Sequence, residues 1–334
     1  MVFETQRIDQ SASFERDVAT ARNQLLSVRD ILGQWIIGQD EALDLTLICL
    51  VSQGHVLLEG TPGLGKTLLI KTLAKLTKLK MRRVQFTPDL MPSDILGGER
   101  LAEVDGGVIT QFEPGPVFTN IVLADEINRA NPRTQAALLE AMGEGHVTVA
   151  GETTHLPSPF FVFASQNPID MQGTYPLPEA QMDRFMMRIE LTKPAKADMA
   201  RIITVRPAEN LTTLEPVIGG VDLTRFNELS KQILASSDLV QMMSEAVEQT
   251  WVRCQVSAFG HVTGMGASPR AAQDLYRACQ SRALLAGRLN ITREDIKALL
   301  VPVLNHRIIV PTSLRADGQT STAILTDIAD RLFS

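Results

Sequence analysis

The sequence predicts an α/β fold: a parallel five-stranded sheet flanked by helices, followed by a helical region. Three observations predict it. Five short apolar segments recur between residues 55 and 191, helical patterns lie between them, and strand patterns stop after Pro194. Short apolar segments without polar alternation are typical of parallel strands buried on both faces. Their alternation with helices favours a doubly wound sheet.

Each predicted strand is β-branched or aromatic and ends in polar residues or glycine. The five segments are HVLLEG (55–60), MRRVQFT (81–87), NIVLADE (120–126), PFFVFAS (159–165) and FMMRIEL (185–191). Helices are predicted over 14–33, 66–77 and 131–142, the last with Asn131 as its N-cap and a proline at its first position.

Two segments interrupt the alternation of strands and helices. LAEVDGGVITQF (101–112) and HVTVAGETTHLP (146–157) both place glycine between alternating residues, which predicts β-hairpins inserted into the α/β core. Beyond residue 197 the pattern is mostly helical, with helices predicted over 268–287 and 292–304. The domain division predicted is a helical segment at 1–36, an α/β domain at 37–195 and a helical domain at 196–334.

Composition excludes several classes of function. The 334 residues carry a net charge of −6 and only 5% aromatic residues, which disfavours a nucleic-acid surface built on stacking. Three cysteines without a CxxC motif predict reduced thiols, and no signal peptide or membrane span is expected, so a cytoplasmic location is predicted. The five scattered histidines show no metal-binding spacing, so no metal other than Mg²⁺ is expected.

The segment GTPGLGKT follows a predicted strand and begins a predicted helix. It matches G-x-x-x-x-G-K-[ST], whose backbone N–H groups cradle phosphates, with Lys66 reaching the β- and γ-phosphates and the Thr67 hydroxyl binding Mg²⁺. The alternative is a glycine-rich turn without a ligand. The nucleotide-binding residues predicted here are Gly60, Thr61, Pro62, Gly63, Leu64, Gly65, Lys66, Thr67 and Leu68.

Two carboxylates end the strand IVLADE. Asp125 is predicted to hold Mg²⁺, and Glu126 to polarise the attacking water as a general base. A surface acidic pair is the alternative. Asn167 follows another strand and could touch the γ-phosphate or the water, while Arg270 begins a helix of the second domain and would place a cation on the nucleotide. A helix cap or a surface polar residue is the alternative for both.

The chain strongly resembles the MoxR family of AAA+ ATPases. The matching segments are LLEGTPGLGKT (57–67), VQFTPDLMPSDILG (84–97), LADEINRANPRTQAALLEAM (123–142), SQNPIDMQGTYPLPEAQMDRF (165–185) and ASPRA (267–271). They occur in order across most of residues 30–310, and the fourth is more specific than either nucleotide-binding motif.

The resemblance implies an AAA+ core with strand order 5-1-4-3-2, a helical lid and a ring, usually a hexamer. It assigns Asn167 to sensor 1, Arg270 to sensor 2 and Arg184 to the arginine finger, and it places Ile37 and Gly38 near adenine. The two hairpins match inserts that face the pore or a partner.

The resemblance also implies ATP and Mg²⁺ as ligands and a chaperone-like remodelling activity. Relatives act beside proteins with von Willebrand factor A domains, in complex maturation or in metal and cofactor insertion. Three alternative functions remain open: a nucleic-acid-dependent motor, a magnesium-chelatase-type ATPase subunit and a non-catalytic, nucleotide-gated scaffold.

The most specific structural expectation concerns Arg184. In a single copy of the chain its side chain should point into solvent, away from Lys66, so that it can reach the nucleotide of a neighbour. The alternative is an ion pair with Asp183 or Glu179 of the same chain, and Arg129 and Arg133 are second-choice cations for the interface.

Overall fold

The structure is a computed structural model, and it describes residues 2–104, 107–149, 151–167, 173–204, 211–254, 257–258, 261–262 and 264–333. Two helices come first, α1 at Val2–Trp35 and α2 at Asp40–Val51. The buried side chains of α1 recur from Val18 to Leu32 at intervals of three and four residues, which forms one apolar stripe. The helix predicted over 14–33 is therefore part of a longer one.

The central sheet has five parallel strands. They are β1 at Val56–Glu59, β2 at Met81–Gln85, β5 at Ile121–Asp125, β8 at Phe161–Gln166 and β9 at Met187–Glu190. Their order across the sheet is β2-β5-β8-β1-β9, which confirms the implied order 5-1-4-3-2 when these five strands are numbered along the chain. The carboxyl ends of β1, β5 and β8 therefore lie side by side.

Alternate residues of the central strands enter two apolar clusters on opposite faces of the sheet. Leu57, Val122 and Val162 pack on the face covered by α5 at Pro132–Glu144. Val56, Ile121 and Phe163 pack on the other face, with α1, α2 and α3 at Lys66–Leu76. Burial on both faces explains why these strands are continuously apolar.

Both predicted hairpins are confirmed. The first pairs β3 at Gly97–Val104 with β4 at Gly107–Pro114, directly after the short helix α4 at Pro92–Leu96. It begins earlier than predicted, at Gly97, where φ is 89° and a Cβ would lie 2.2 Å from the carbonyl oxygen of Glu113. The second hairpin pairs β6 at His146–Val149 with β7 at Glu152–His155.

A short helix, α6 at Glu179–Met182, precedes β9. Beyond residue 195 the chain is mostly helical, as predicted. The main helices of this region are α7 at Lys196–Thr204, α8 at Gly220–Lys231, α9 at Ser237–Cys254, α10 at Pro269–Ala286, α11 at Arg293–Leu304, α12 at Thr312–Ala316 and α13 at Ser321–Leu332. A short ladder, β10 at Ser257–Ala258 with β11 at His261–Val262, follows α9. Ser268 caps α10 by accepting a hydrogen bond from the Ala271 N–H.

The apolar core over one face of the sheet continues into the C-terminal helices. One cluster of buried residues joins Ile121 and Phe163 of the sheet, Leu32 of α1, Leu275 of α10 and Leu300 of α11. The helical region therefore packs as an extension of the sheet. Within the described ranges no helix is both long enough and apolar enough to cross a membrane.

Candidate nucleotide site

The phosphate-loop segment connects β1 to α3, as the sequence predicts. Gly63 and Gly65 have φ angles of 86° and 91°, in the left-handed region that glycine adopts without a Cβ clash. Open space lies where their Cβ atoms would be. Gly65 is the N-cap of α3, so the loop delivers its N–H groups to the positive end of the helix dipole.

Lys66 bridges two strands of the sheet. Its Nζ donates to the carbonyl oxygen of Gly60 at 2.7 Å, after β1, and to that of Gln166 at 3.2 Å, at the end of β8. Burial lowers the pKa of Lys66, while Asp125 and Glu126 act in the opposite direction. The ammonium group thus stands where an anion can replace backbone carbonyls as its partner.

Asp125 ends β5 with both carboxylate oxygens in contact with neighbouring strands. Oδ1 accepts from the Ser165 hydroxyl at 2.5 Å, and Oδ2 accepts from Nη2 of Arg83 at 2.7 Å. Arg83 lies on β2 and Ser165 on β8, one on each side of β5 in the sheet. Sequence reasoning missed both residues, because only the pairing of the strands places them beside Asp125.

Glu126 directly follows β5 in a left-handed backbone conformation, with φ of 57° and ψ of 50°. Non-glycine residues there carry a conformational cost and cluster at functional sites. Its N–H donates to Ser165 Oγ at 2.9 Å, and its Oε2 accepts from Gln85 Nε2 at 2.9 Å and from Arg129 Nη1 at 3.0 Å. Arg129, a second-choice interface cation, is therefore paired within its own chain.

These groups surround one cavity of about 390 Å³. Its lining residues are Pro62, Gly63, Gly65, Lys66, Thr67, Leu68, Asp125, Glu126, Ser165 and Asn167. Lys66, Thr67, Asp125, Glu126 and Asn167, which the sequence predicted to act together, are thus brought into one space. This polar cavity is called the phosphate cavity below.

An apolar cavity of about 290 Å³ adjoins the phosphate cavity and shares the glycines of the loop. It is lined by Trp35, Ile36, Ile37, Gly63, Leu64, Gly65, Leu68, Pro194, Met199 and Ile202. Ile37 and Leu64 thus line the cavity beside the phosphate loop. Gly38, Gly60 and Thr61 are not among the lining residues of either cavity. Gly38 instead packs against Asp198, 3.0 Å from where its Cβ would be.

The residues present fit a magnesium nucleotide. The loop offers N–H donors and an ammonium group to phosphates, and the apolar cavity beside it suits a flat base. Thr67 and Asp125 offer the hard oxygen ligands that Mg²⁺ prefers, alongside phosphate oxygens. In the described part of the chain no group of three or more histidine, cysteine, aspartate or glutamate side chains is placed to hold a metal ion.

Arg184 lies outside the phosphate cavity, and the expectation that it points freely into solvent is wrong. Its Nη1 donates to the Leu139 carbonyl oxygen, in the C-terminal half of α5, and the residue is half-buried. A Cβ on Gly143 would lie 2.7 Å from this Nη1, so the glycine leaves room for the guanidinium. The alternative ion pair with Asp183 is also absent, because that carboxylate pairs with Arg307.

Arg270 also lies outside the phosphate cavity of its own chain, which corrects the expectation of a cation placed on that nucleotide. It lines an open groove of about 820 Å³ between α9 and α10, together with Trp251, Gln273 and Tyr276. The reason is the packing of α10, whose N-cap Ser268 donates to Asp183 at 2.9 Å. The segment that carries Arg270 is thereby joined to the segment that carries Arg184.

Comparison with known proteins agrees with this geometry. Residues 55–187 match the ATPase family associated with various cellular activities (AAA), and residues 261–328 match the AAA lid domain. A crystal structure from Cytophaga hutchinsonii, described as a candidate ATPase, is 36% identical with a TM-score of 0.85 over 96% of this chain and 98% of that one. The fold and the site thus define an AAA+ ATPase.

The relatives narrow the class to one family. Chaperone MoxR1 of Mycobacterium tuberculosis is 38% identical over 90% of this chain and 78% of its own. Protein MoxR of Methylorubrum extorquens is 32% identical over 94% of this chain and 95% of its own. The uncharacterized protein YeaC of Bacillus subtilis is 39% identical over 88% of this chain and 89% of its own. The chain belongs to the MoxR family of AAA+ ATPases.

Proposed function

We propose that the protein hydrolyses ATP in sites shared between neighbouring copies of the chain and uses the energy to remodel other proteins. The observation that carries the proposal is the phosphate cavity, which gathers Lys66, Thr67, Asp125, Glu126 and Asn167, with an apolar cavity beside it. Phosphoryl transfer needs positioning and charge stabilisation more than covalent chemistry, and these side chains supply both.

Each side chain has a distinct task in this proposal. The loop N–H groups and Lys66 bind the phosphates, and Asn167 contacts the γ-phosphate. Thr67 and Asp125 would hold Mg²⁺, which when bound neutralises charge on the phosphate oxygens.

Glu126 orients the attacking water and accepts its proton. Its Oε2 also accepts hydrogen bonds from Gln85 and Arg129, and these donors hold the carboxylate in place at the edge of the phosphate cavity.

The positions of two arginines support the proposal of a shared site. Arg184 and Arg270 both lie outside the phosphate cavity of their own chain, and Asp183 links their segments through Ser268. We propose that both cations act on the nucleotide of the next copy. A head-to-tail contact of this kind closes into a ring, and the family resemblance supports a hexamer.

The family also supports a proposal about partners. MoxR1 of M. tuberculosis carries the name chaperone. We propose that the ring works with a protein that contains a von Willebrand factor A domain, in the maturation of a protein complex or the insertion of a metal or cofactor. The two hairpins, β3–β4 and β6–β7, are the surfaces proposed to contact the partner or the client.

Mixing two inactive variants tests the shared site. Glu126→Gln removes the base but keeps Arg184, and Arg184→Ala keeps the base but removes the cation. In a random equal mixture about a quarter of the head-to-tail interfaces combine an intact base with an intact arginine, so ATPase activity should reappear. Steady-state phosphate release under subunit-exchange conditions is the measurement. A mixture no more active than either variant alone contradicts the proposal.

A further inference from the structure

Arg307 is the centre of a buried charge cluster outside the phosphate cavity. It lies in the 3-10 turn at Asn305–Arg307, and its side chain is 1% exposed. Its Nη2 donates to the carboxylate of Asp274 on α10 and to the backbone carbonyls of Asp183 and Phe185, the last at 2.8 Å. Its Nε lies 3.2 Å from Asp183 Oδ1. One side chain thus joins two segments distant in sequence.

The segment 183–185 is held at two further points by C-terminal residues. The Ser268 hydroxyl, the N-cap of α10, donates to Asp183 Oδ1 at 2.9 Å. His306 is bonded through Nε2 to the Phe185 carbonyl oxygen at 2.8 Å. Arg184 stands between these two anchored residues, so the backbone that carries it is tied to the start of the helix that carries Arg270.

The charges of the cluster are buried and lie close to opposite charges, with Nη2 of Arg307 making its hydrogen bonds while Nε and Nη1 make none. Burial by itself raises the pKa of Asp274, but Arg307 and Arg277 outweigh it, and the pKa lies below its ordinary value. Breaking a buried ion pair by removal of one partner leaves an uncompensated charge, so such clusters resist local distortion. α10 also shares the apolar core of the sheet, which limits its movement relative to the strands.

We propose that Asp183, Ser268, Arg307 and Asp274 are positioning residues that fix Arg184 relative to Arg270, so that one copy presents two cations as a single unit to the nucleotide of its neighbour. This inference rests on the proposed shared site. It assigns the cluster a role in the neighbour's reaction and none in the phosphate cavity of its own chain. These four residues are called the arginine clamp below.

Asp183→Asn is the first test, because it keeps an oxygen for Ser268 but removes the charge that faces Arg307. A small misplacement of a catalytic group can cost about 100-fold in rate, so we expect kcat to fall about 10- to 100-fold with little change in KM for ATP. Mixing Asp183→Asn with Glu126→Gln should restore activity to the level of the mixture of Arg184→Ala with Glu126→Gln. A variant that only disturbs its own fold or its own cavity would not be restored.

Asp295→Asn is the matched control. Asp295 is also a buried carboxylate held by two guanidinium groups, Arg282 and Arg288, but it joins α10 to α11 without touching the segment 183–185. We expect it to lower the melting temperature while kcat per folded protein changes less than threefold. An equal loss of kcat in both variants would assign the cluster a structural role only, and the clamp would be rejected.

Ser268→Ala keeps both charges and tests the clamp if Asp183→Asn does not fold. Thr320→Ala is its control, since Thr320 caps α13 in the same way, through the Ala323 N–H, but has no contact with Asp183. The clamp is supported if Ser268→Ala lowers kcat, if mixing it with Glu126→Gln restores the activity, and if Thr320→Ala causes no such loss. An unchanged kcat overturns it. If the mixture of Arg184→Ala with Glu126→Gln is itself inactive, the shared site fails instead.

Discussion

Single residues at the ends of the strands decide how the two carboxylates of the site are oriented. The hydroxyl of Ser165 donates to Asp125 and accepts from the N–H of Glu126, so one oxygen holds both consecutive residues. Ser165 is also buried, which protects these two hydrogen bonds from competition with water. The left-handed backbone of Glu126 is therefore supported by a side chain on the next strand.

Ser165→Ala should lower ATPase activity without unfolding the protein. Without the hydroxyl, Asp125 loses a partner and the Glu126 N–H is left without its acceptor, at a cost of about 1–3 kcal/mol. We expect kcat to fall about 10-fold, because roughly 1.4 kcal/mol in the barrier corresponds to that factor, and the Mg²⁺ concentration for half-maximal activity to rise.

Ser165→Thr is the matched control for this prediction. It keeps the hydroxyl and adds a methyl group that a strand accommodates. A Thr variant close to wild type beside an impaired Ala variant supports the hydrogen-bonding role. Equal loss in both would assign the effect to packing at this buried position. Mg²⁺ titration of steady-state phosphate release distinguishes the two outcomes.

At the scale of elements, α5 holds the guanidinium of Arg184. The carbonyl oxygen of Leu139 accepts from Arg184, and cations near the C-terminal end of a helix are stabilised by its dipole. Gly143 lies in the last turn of the same helix, where its missing Cβ leaves space for the guanidinium. The helix therefore orients the side chain while the arginine clamp holds its backbone.

Gly143→Ala should lower the ATPase activity without lowering the stability of the protein. Alanine is up to about 1 kcal/mol more favourable than glycine in a helix, so the melting temperature should stay equal or rise. The added Cβ would lie 2.7 Å from Arg184 Nη1, so the guanidinium must move. We expect kcat to fall about 10-fold as the arginine leaves its oriented position.

Ala137→Gly is the control for the effect of helix propensity on the melting temperature. Ala137 lies in the same helix and lines a small cavity away from Arg184, so Ala137→Gly should lower the melting temperature without changing kcat per folded protein. Unchanged kcat in Gly143→Ala would show that Arg184 does not depend on its contact with α5.

At the scale of the whole molecule, the half-buried His55 and the buried His306 link remote segments in their neutral form. His55 joins the start of β1 to α5 and β8, because its ring contacts the Met142 carbonyl oxygen and the Val162 N–H. His306 joins the C-terminal turn to Phe185. Burial lowers the pKa of His55 to about 4 and that of His306 to about 3. Neither ring can take up a proton near neutral pH while the protein is folded.

Acidification should therefore destabilise the fold. The unfolded chain binds protons at both histidines below its ordinary pKa of about 6.5, so the full stability is present above that pH and is lost as the pH falls. Each histidine should cost about 2 kcal/mol of unfolding free energy between pH 7 and pH 5. Urea unfolding at the two pH values measures the total loss.

His55→Gln identifies one contribution to this loss. Glutamine can donate and accept hydrogen bonds but does not titrate, so the variant should lose about 2 kcal/mol less than wild type between the two pH values. The exposed His155, replaced in the same way, is the matched control variant. Identical unfolding free energies at pH 7 and pH 5 in the wild type would refute the prediction.

Local patterns predicted most of the architecture. The five strands and the helices predicted over 66–77, 131–142, 268–287 and 292–304 lie close to their observed positions, because buried parallel strands and capped helices leave short-range patterns. The first helix and the first hairpin begin earlier than predicted, at Val2 and Gly97. Lys66 and Thr67 were also predictable, since the loop that binds phosphate is a contiguous backbone segment. Ser165, Arg83 and Gln85 were not, because their proximity to Asp125 and Glu126 depends on which strands are neighbours.

The sequence by itself determined the sheet, the phosphate loop and the identity of the acidic pair, because each is encoded in a short run of residues. Only the tertiary structure decided which cations share the phosphate cavity. Arg184 and Arg270 are recognisable by their motifs, yet neither lines the phosphate cavity of its own chain, and the segments that carry them are joined through Asp183, Ser268 and the buried Arg307 instead. The physical reason is that a buried charge must be neutralised by whichever partners the fold brings to it.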